Sequence, residues 1–311
     1  MDAPQTSHQP VLAIGLKVAA VFLFMVMASL VKAATQEVPA GQAVFFRALF
    51  AIPVITAWLW HRGDLREGLI PRNLKGHIWR GVFGTTAMAL TFGGLGLLPL
   101  PEVTAIGYAT PIFTVLFAAV LLGERIRLIR ISAVALGLVG VMIVMWPRLS
   151  VADLSQATTL GAIMVLTASI LRALVQIHIR QLVQTEHTAA IVFWFSTTAS
   201  VLSLLTIPFG WVWPDLQDLV FLIGAGVLGG VAQILVTSSY RFAGASMLAP
   251  FDYTSMIFAI LIGWAVFSEL PTSVMLLGSA LVIAGGVLIL WRERHLHAGR
   301  KRASAVTDPK G

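Results

Sequence analysis

The sequence predicts an all-α membrane protein of ten transmembrane helices, arranged as two inverted five-helix repeats. Three observations carry that expectation: composition, the spacing of apolar runs, and an internal repeat. Of 311 residues, 58% are hydrophobic and only 11% charged, with a mean hydropathy of +0.88. A water-facing domain carries about 25% charged residues, so most of this surface faces lipid. A hydrocarbon core about 30 Å thick takes about 20 apolar residues per helical crossing.

Apolar segments of that length fall at 11–34, 41–61, 78–98, 101–122 and 128–146. A second set falls at 158–178, 188–209, 216–239, 246–268 and 274–291. The first run is longer than the apolar stretch of a signal peptide, and the repeat needs it as a structural helix. Pro99-Leu100-Pro101 and Gly244-Ala245 are very short connections that make the flanking helices antiparallel neighbours. Trp58, Trp60, Trp79, Trp146, Trp211, Trp213 and Trp291 stand near span ends, as interfacial anchors do.

Orientation follows from Lys and Arg. With the N-terminus in the cytoplasm, the cytoplasmic side holds Arg62, Arg66, Arg72, Lys75, Arg80, Arg125, Arg127, Arg130, Arg180 and Arg241. The tail adds Arg292, Arg294, Arg300, Lys301, Arg302 and Lys310, which makes sixteen, against Arg148 alone on the other side. That bias predicts both termini in the cytoplasm. It also accounts for the net charge of +7, so no nucleic-acid partner is needed.

Shifted by 145, residues 81–146 align with 226–291 without a gap, with fourteen identities. Gly81/Gly226, Gly84/Gly229, Tyr108/Tyr253, Glu124/Glu269, Gly140/Gly285 and Trp146/Trp291 carry the most weight, because the chain has only three Tyr. Upstream, Ala28-Ser29-Leu30-Val31-Lys32 resembles Ala168-Ser169-Ile170-Leu171-Arg172. The unit is therefore five helices, over 11–146 and 158–291, followed by a basic tail at 292–311. Five is odd, so the second copy crosses in the opposite sense, and a substrate site is expected near the midplane between the halves.

Ionisable groups inside the membrane are functional candidates by default. Arg47 lies about two turns into the second span. It reads either as a fixed cation for a substrate carboxylate or as a structural partner of Glu102 or of a helix C-terminus. Asp252 follows Pro250 and offers a substrate-ammonium or proton site; otherwise it bonds the disrupted backbone or Arg241. Tyr108 and Tyr253 each lie about two turns into their helices from opposite faces, which suits cavity lining. Gln233 is a mid-membrane interhelical bond or a substrate contact. Lys32 and Arg172 are near enough to span ends to snorkel, and Lys17 reads as an anchor. Trp194 reads as a lipid-facing or packing residue ahead of an aromatic cavity wall, Glu124 and Glu269 as helix caps, and Pro111 and Pro250 as kinks.

No HExxH zinc segment and no GxxxxGK phosphate loop is present, the seven His are scattered, and there is no Cys. These features leave no assembled catalytic site, and no metal or cofactor is expected.

The stretch Phe45-Phe46-Arg47-Ala48-Leu49-Phe50, the run from Pro99 to Pro111 and the Leu122-Gly123-Glu124-Arg125 turn resemble the EamA family of the drug/metabolite transporter superfamily. The resemblance covers nearly the whole chain. It implies ten helices, secondary transport without ATP, and a bacterial inner-membrane setting. Within the family the chain is similar to exporters of amino acids, aromatic ones included; similar sequences also serve uptake of S-adenosylmethionine or riboflavin. A small metabolite is the implied substrate and a proton the candidate coupling ion. The sequence is silent on oligomeric state.

Overall fold

The computed structural model describes residues 10–63, 65–122, 128–149, 156–182, 185–242, 248–285 and 287–288. Among them there is no strand. The elements are α1 (Pro10–Ala34), α2 (Ala40–His61), α3 (Leu65–Leu69), α4 (Leu74–Leu97), α5 (Leu100–Gly107), α6 (Ala109–Leu122), α7 (Leu128–Leu149) and α8 (Gln156–Leu182). They continue with α9 (Thr188–Ser203), a 3-10 segment (Leu204–Phe209), α10 (Leu216–Phe242), a second 3-10 segment (Ala249–Tyr253), α11 (Thr254–Phe267) and α12 (Ser273–Gly285). Among the described residues, five helical segments are long and apolar enough to cross a membrane. α4 and α7 are as long but less uniformly apolar or less fully described, and the fourth and ninth crossings are interrupted. Together they make the ten-span, two-repeat membrane fold.

Three departures from uninterrupted spans have local causes. The fourth span is cut at Tyr108 into α5 and α6. Pro111 has no N–H to give the Gly107 carbonyl, so the ladder fails there. The ninth span opens with the 3-10 segment that contains Pro250 and ends at Tyr253. The seventh tightens to 3-10 at Leu204–Phe209, where Pro208 removes the bond to the Leu204 carbonyl, and stops at Gly210 with φ +92°. Thus the repeat-related tyrosines both sit at a break in their helix.

Lipid offers no water to stray polar groups, and hydroxyls inside the spans bond backwards onto their own helix. Thr56, Thr91, Thr104, Thr114, Ser169, Thr197, Ser200 and Ser203 each donate to the carbonyl four residues earlier. The spans therefore approach through small residues.

The contacts between halves come in swapped pairs, as an inverted repeat requires. α4 packs on α9 while α10 packs on α2, and α8 packs on α4 while α1 packs on α10. A Cβ on Gly81 would strike Thr198 at 2.4 Å, and one on its mate Gly226 would strike Phe50 at 2.5 Å. Gly140 of α7 and Gly278 of α12 meet so closely that a Cβ on either would lie within 2.7 Å of the other's carbonyl oxygen. This close packing of backbones fixes the halves against each other.

Two ends of the bundle are distinct. At the acidic end lie the links 35–39, 98–99, 210–215 and 268–272. Gln42 clamps the Val212 backbone there, with Nε2 donating to its carbonyl at 2.8 Å and Oε1 accepting from its N–H at 3.1 Å. At the basic end, α3 and the 70–73 link meet residues 185–187. Asn73 caps α4 by accepting from Gly76 N–H at 2.9 Å, and its own N–H donates to Glu186. Trp194 Nε1 donates to the Leu69 carbonyl at 2.9 Å, so this tryptophan pins α3 to α9.

Candidate functional site

The two tyrosines meet. Breaks in the fourth and ninth spans turn them toward each other, and the rings stand edge to face with centroids 5.2 Å apart and planes at 67°. The Tyr108 hydroxyl lies 2.6 Å from Ser255 Oγ and 3.3 Å from the Tyr253 carbonyl. Ser255 already donates to the Asp252 carbonyl at 2.7 Å, so Tyr108 is the donor to Ser255. An aromatic wall from both halves thus stands on a hydrogen-bonded helix break.

Asp252 lies one residue away from that wall. Its Oδ1 is 2.6 Å from Lys17 Nζ, and its side chain is 53% exposed while that of Lys17 is 4% exposed. Lys17 is therefore a buried partner of Asp252, where the sequence suggests a membrane-surface anchor. The Arg241 side chain lies outside the described residues.

Arg47 lies elsewhere, on the α2 face turned to α9 and α10. Its guanidinium carbon is 5.9 Å from the Phe195 ring centre, and its Nε is buried without a hydrogen-bond partner. Arg80 of α4 reaches the same ring at 4.0 Å, and its Nε and one Nη are likewise buried and unpartnered. Residue exposures are 8% and 9%. The charge count on the sequence places Arg80 at the membrane surface; the fold carries it inside. Two like charges no more than 9.9 Å apart repel by about 2 kcal/mol at an effective dielectric of about 20. Among the described residues no carboxylate forms an ion pair with either.

The glycines explain how the cluster fits. A Cβ on Gly84 would press on Phe195 at 2.9 Å, and one on its repeat mate Gly229 would lie 3.3 Å from Arg47 Nε. Gln233 stands one turn from Gly229 on α10. It lines a narrow cleft between α2, α9 and α10 with Ile55, Trp58, Ala189, Val192 and Thr237.

The five expected site residues are thus not all brought together. Tyr108, Asp252 and Tyr253 form one group; Arg47 and Gln233 lie apart from it on α2 and α10, Gln233 in a cleft whose lining does not include Arg47. α1 touches the group through Lys17 at Asp252 and the surroundings of Arg47 through Met27, whose sulfur is 2.9 Å from a Cβ built on Gly229. Sequence reasoning missed Arg80, Phe195, Ser255 and Lys17. Arg80 lies only two residues into the apolar run at 78–98, so depth along the sequence marks it as a surface position, whereas α4 begins at Leu74.

Nearer the acidic end, Lys32 is buried rather than snorkelling. Its Nζ lies 2.9 Å from Glu269 Oε1 and donates to the carbonyls of Leu98 at 2.6 Å and Leu95 at 3.2 Å. Glu269 Oε2 accepts from Leu100 N–H at 2.9 Å. This latch joins the two halves, because Lys32 and Leu95–Leu100 belong to the first and Glu269 to the second. The repeat mate Arg172 instead bonds within its own helix, to the Ala168 carbonyl and Ser169 Oγ, both at 3.4 Å. Glu124, the mate of Glu269, lies outside the described residues.

At the basic end, the Glu186 carboxylate is sealed with His77 Nε2 3.2 Å from its Oε2. Burial pushes this carboxyl up. The backbone N–H groups of Arg72 and Asn73 and the His77 imidazole outweigh that and hold it below the ordinary glutamate value of 4.5.

With this geometry in view, comparisons place the chain. The EamA-like transporter family matches residues 11–146 and 159–291. The pseudopaline exporter CntI of Pseudomonas aeruginosa is 31% identical over 281 residues, covering 88% of this chain and 92% of that protein. A riboflavin transporter of Rhizobium johnstonii is 27% identical over 218 residues, 70% of each chain. An S-adenosylmethionine uptake transporter of Rickettsia bellii is 23% identical over 253 residues, 81% of this chain and 84% of that one. One crystal structure shares the fold, with a TM-score of 0.65 at 20% identity over 91% of this chain and 98% of the other.

Proposed function

Because the chain belongs to the EamA-like transporter family, we propose that this multi-pass membrane transporter exports amino acids, aromatic ones included, by alternating access across a bacterial inner membrane. Both termini face the cytoplasm in this reading, so the basic end is the cytoplasmic one. The observation that carries it is the edge-to-face pair of Tyr108 and Tyr253 at matching breaks in two repeat-related spans. Aromatic faces contributed by both halves grip an amphipathic substrate differently when the halves rock. Arg47 and Gln233 take the carboxylate end, and Asp252 takes an ammonium or a coupling proton once Lys17 releases it.

The latch of Lys32 and Glu269 closes the acidic end in this arrangement, which leaves entry from the basic end. Asp252 is half exposed, in keeping with access from that side. Export then requires the latch to break and the cavity to face outward.

The test is counterflow in liposomes with a panel of labelled amino acids. Saturable exchange in the native chain is expected, falling at least tenfold in Tyr108→Ala and in Tyr253→Ala. Unchanged exchange in both variants would remove the tyrosines from the site. The relatives named for riboflavin and for S-adenosylmethionine uptake support a second reading, inward carriage of a larger metabolite. Including both compounds in the panel, with the gradient imposed in each direction, separates the readings. Imposing a proton gradient on the same vesicles tests coupling.

A further inference from the structure

Two arginines aimed at one phenylalanine ring inside a membrane demand an anion. Arg47 and Arg80 come from different spans, are both nine-tenths buried, and each presents a buried N–H that meets no acceptor. A lone buried guanidinium can stack on an aromatic face and so soften its desolvation. Two on the same ring share one π system, and each charge raises the cost of burying the other. The surroundings are closely packed, and small residues make that possible. Gly84 leaves room for the Phe195 ring and Gly229 for the Arg47 guanidinium, so both repeat-related glycines border it.

We infer that Arg47 and Arg80 form a twin-cation subsite that selects substrates carrying two carboxylates over their neutral or singly charged counterparts. This rests on the reading of the chain as an amino-acid carrier and ranks acidic amino acids and related dicarboxylates above the others within that range. The guanidinium carbons lie within 9.9 Å of each other. Where the two guanidiniums stand on one side of the ring, the two carboxylates of one small dicarboxylate can engage one each, with the bidentate geometry open to arginine. The second cation also disfavours a bare ammonium in the same place.

The experiment measures equilibrium binding to the full chain in nanodiscs with two isosteric pairs, L-glutamate against L-glutamine and succinate against succinamide. The native protein is expected to favour the charged member of each pair at least tenfold at constant ionic strength. Arg80→Gln removes that preference. Arg80→Lys retains part of it, because the charge remains and the fork is lost, and this variant guards against a fold-breaking effect of the neutral one. Equal binding of glutamate and glutamine together with equal binding of succinate and succinamide overturns the inference, as does a preference unchanged in Arg80→Gln. If neither amino acid binds while succinate is favoured in an Arg80-dependent way, the amino-acid reading falls and the twin-cation subsite stands. If the amino acids exchange in liposomes but neither pair shows a charge preference, the subsite falls and the carrier reading stands.

Discussion

Glu186 shows how a single residue ties a membrane bundle to pH. Its carboxylate is held below its ordinary pKa by donors that exist only in the folded chain. The ionised form is therefore the stabilising one. Its contribution is present in full above pH 4.5, the unfolded value, and is lost as pH falls through the lower folded value. Glu186→Gln should be less stable than the native chain at pH 7, and the gap should shrink as pH falls below 4.5. Thermal unfolding in detergent across that window checks it, and a constant gap contradicts the assignment. Lys32 makes a different prediction at the same scale. Lys32→Met strands the Glu269 carboxylate in a closed interface, at a cost of about 3 kcal/mol. The pair Lys32→Met with Glu269→Gln should recover much of the loss. Neither partnership was legible in the sequence. Arg47, Tyr108, Gln233, Asp252 and Tyr253 stood out because charge, ring and amide are rare inside spans. Which of them meet depends on three-dimensional crossings that no spacing along the chain reports. Lys17 and Lys32 looked like snorkelling residues because depth was counted along one helix, while the partners that bury them come from other spans.

At the scale of the element, the breaks at Tyr108 and Tyr253 set the site. Prolines at 111 and 250 were visible in the sequence and pointed to these places. The shape of the breaks was not: the first splits one span into α5 and α6, and the second is a 3-10 segment. The end of α11 carries a further strain. Ser268 closes that helix in the left-handed region at φ +55°, the one described residue other than glycine with positive φ. Such a conformation costs a side-chain-bearing residue about 1 kcal/mol or more. Ser268→Gly should therefore stabilise the helix end, and with it the Glu269 N–H bond to the Gly263 carbonyl at 2.9 Å. A rise in midpoint temperature in detergent checks this. Because Glu269 follows directly, the same variant should strengthen the latch and slow carriage that depends on its opening.

For the whole molecule, the inverted repeat was readable from the sequence, and the swapped packing of α4 on α9 and α10 on α2 gives it a physical form. Inversion has a consequence for motion. If the halves exchanged roles perfectly, the acidic and basic ends would look alike; here Lys32 bridges to the opposite half while Arg172 bonds its own helix. One end is thus joined by a contact between the halves, and in the alternating-access reading transport requires that end to part. Pro101 of α5 and Gly263 of α11 face each other there, with a Cβ on Gly263 3.1 Å from the proline ring. The native chain has no cysteine, so Pro101→Cys with Gly263→Cys introduces a single pair close enough for a disulfide across the halves. Under oxidation this variant should form the cross-link and lose exchange in liposomes; reduction should restore it. The single substitutions should carry substrate whether oxidised or reduced. Full exchange by the cross-linked protein would mean that the acidic end never opens at this seam, and the alternating-access reading would need another exit.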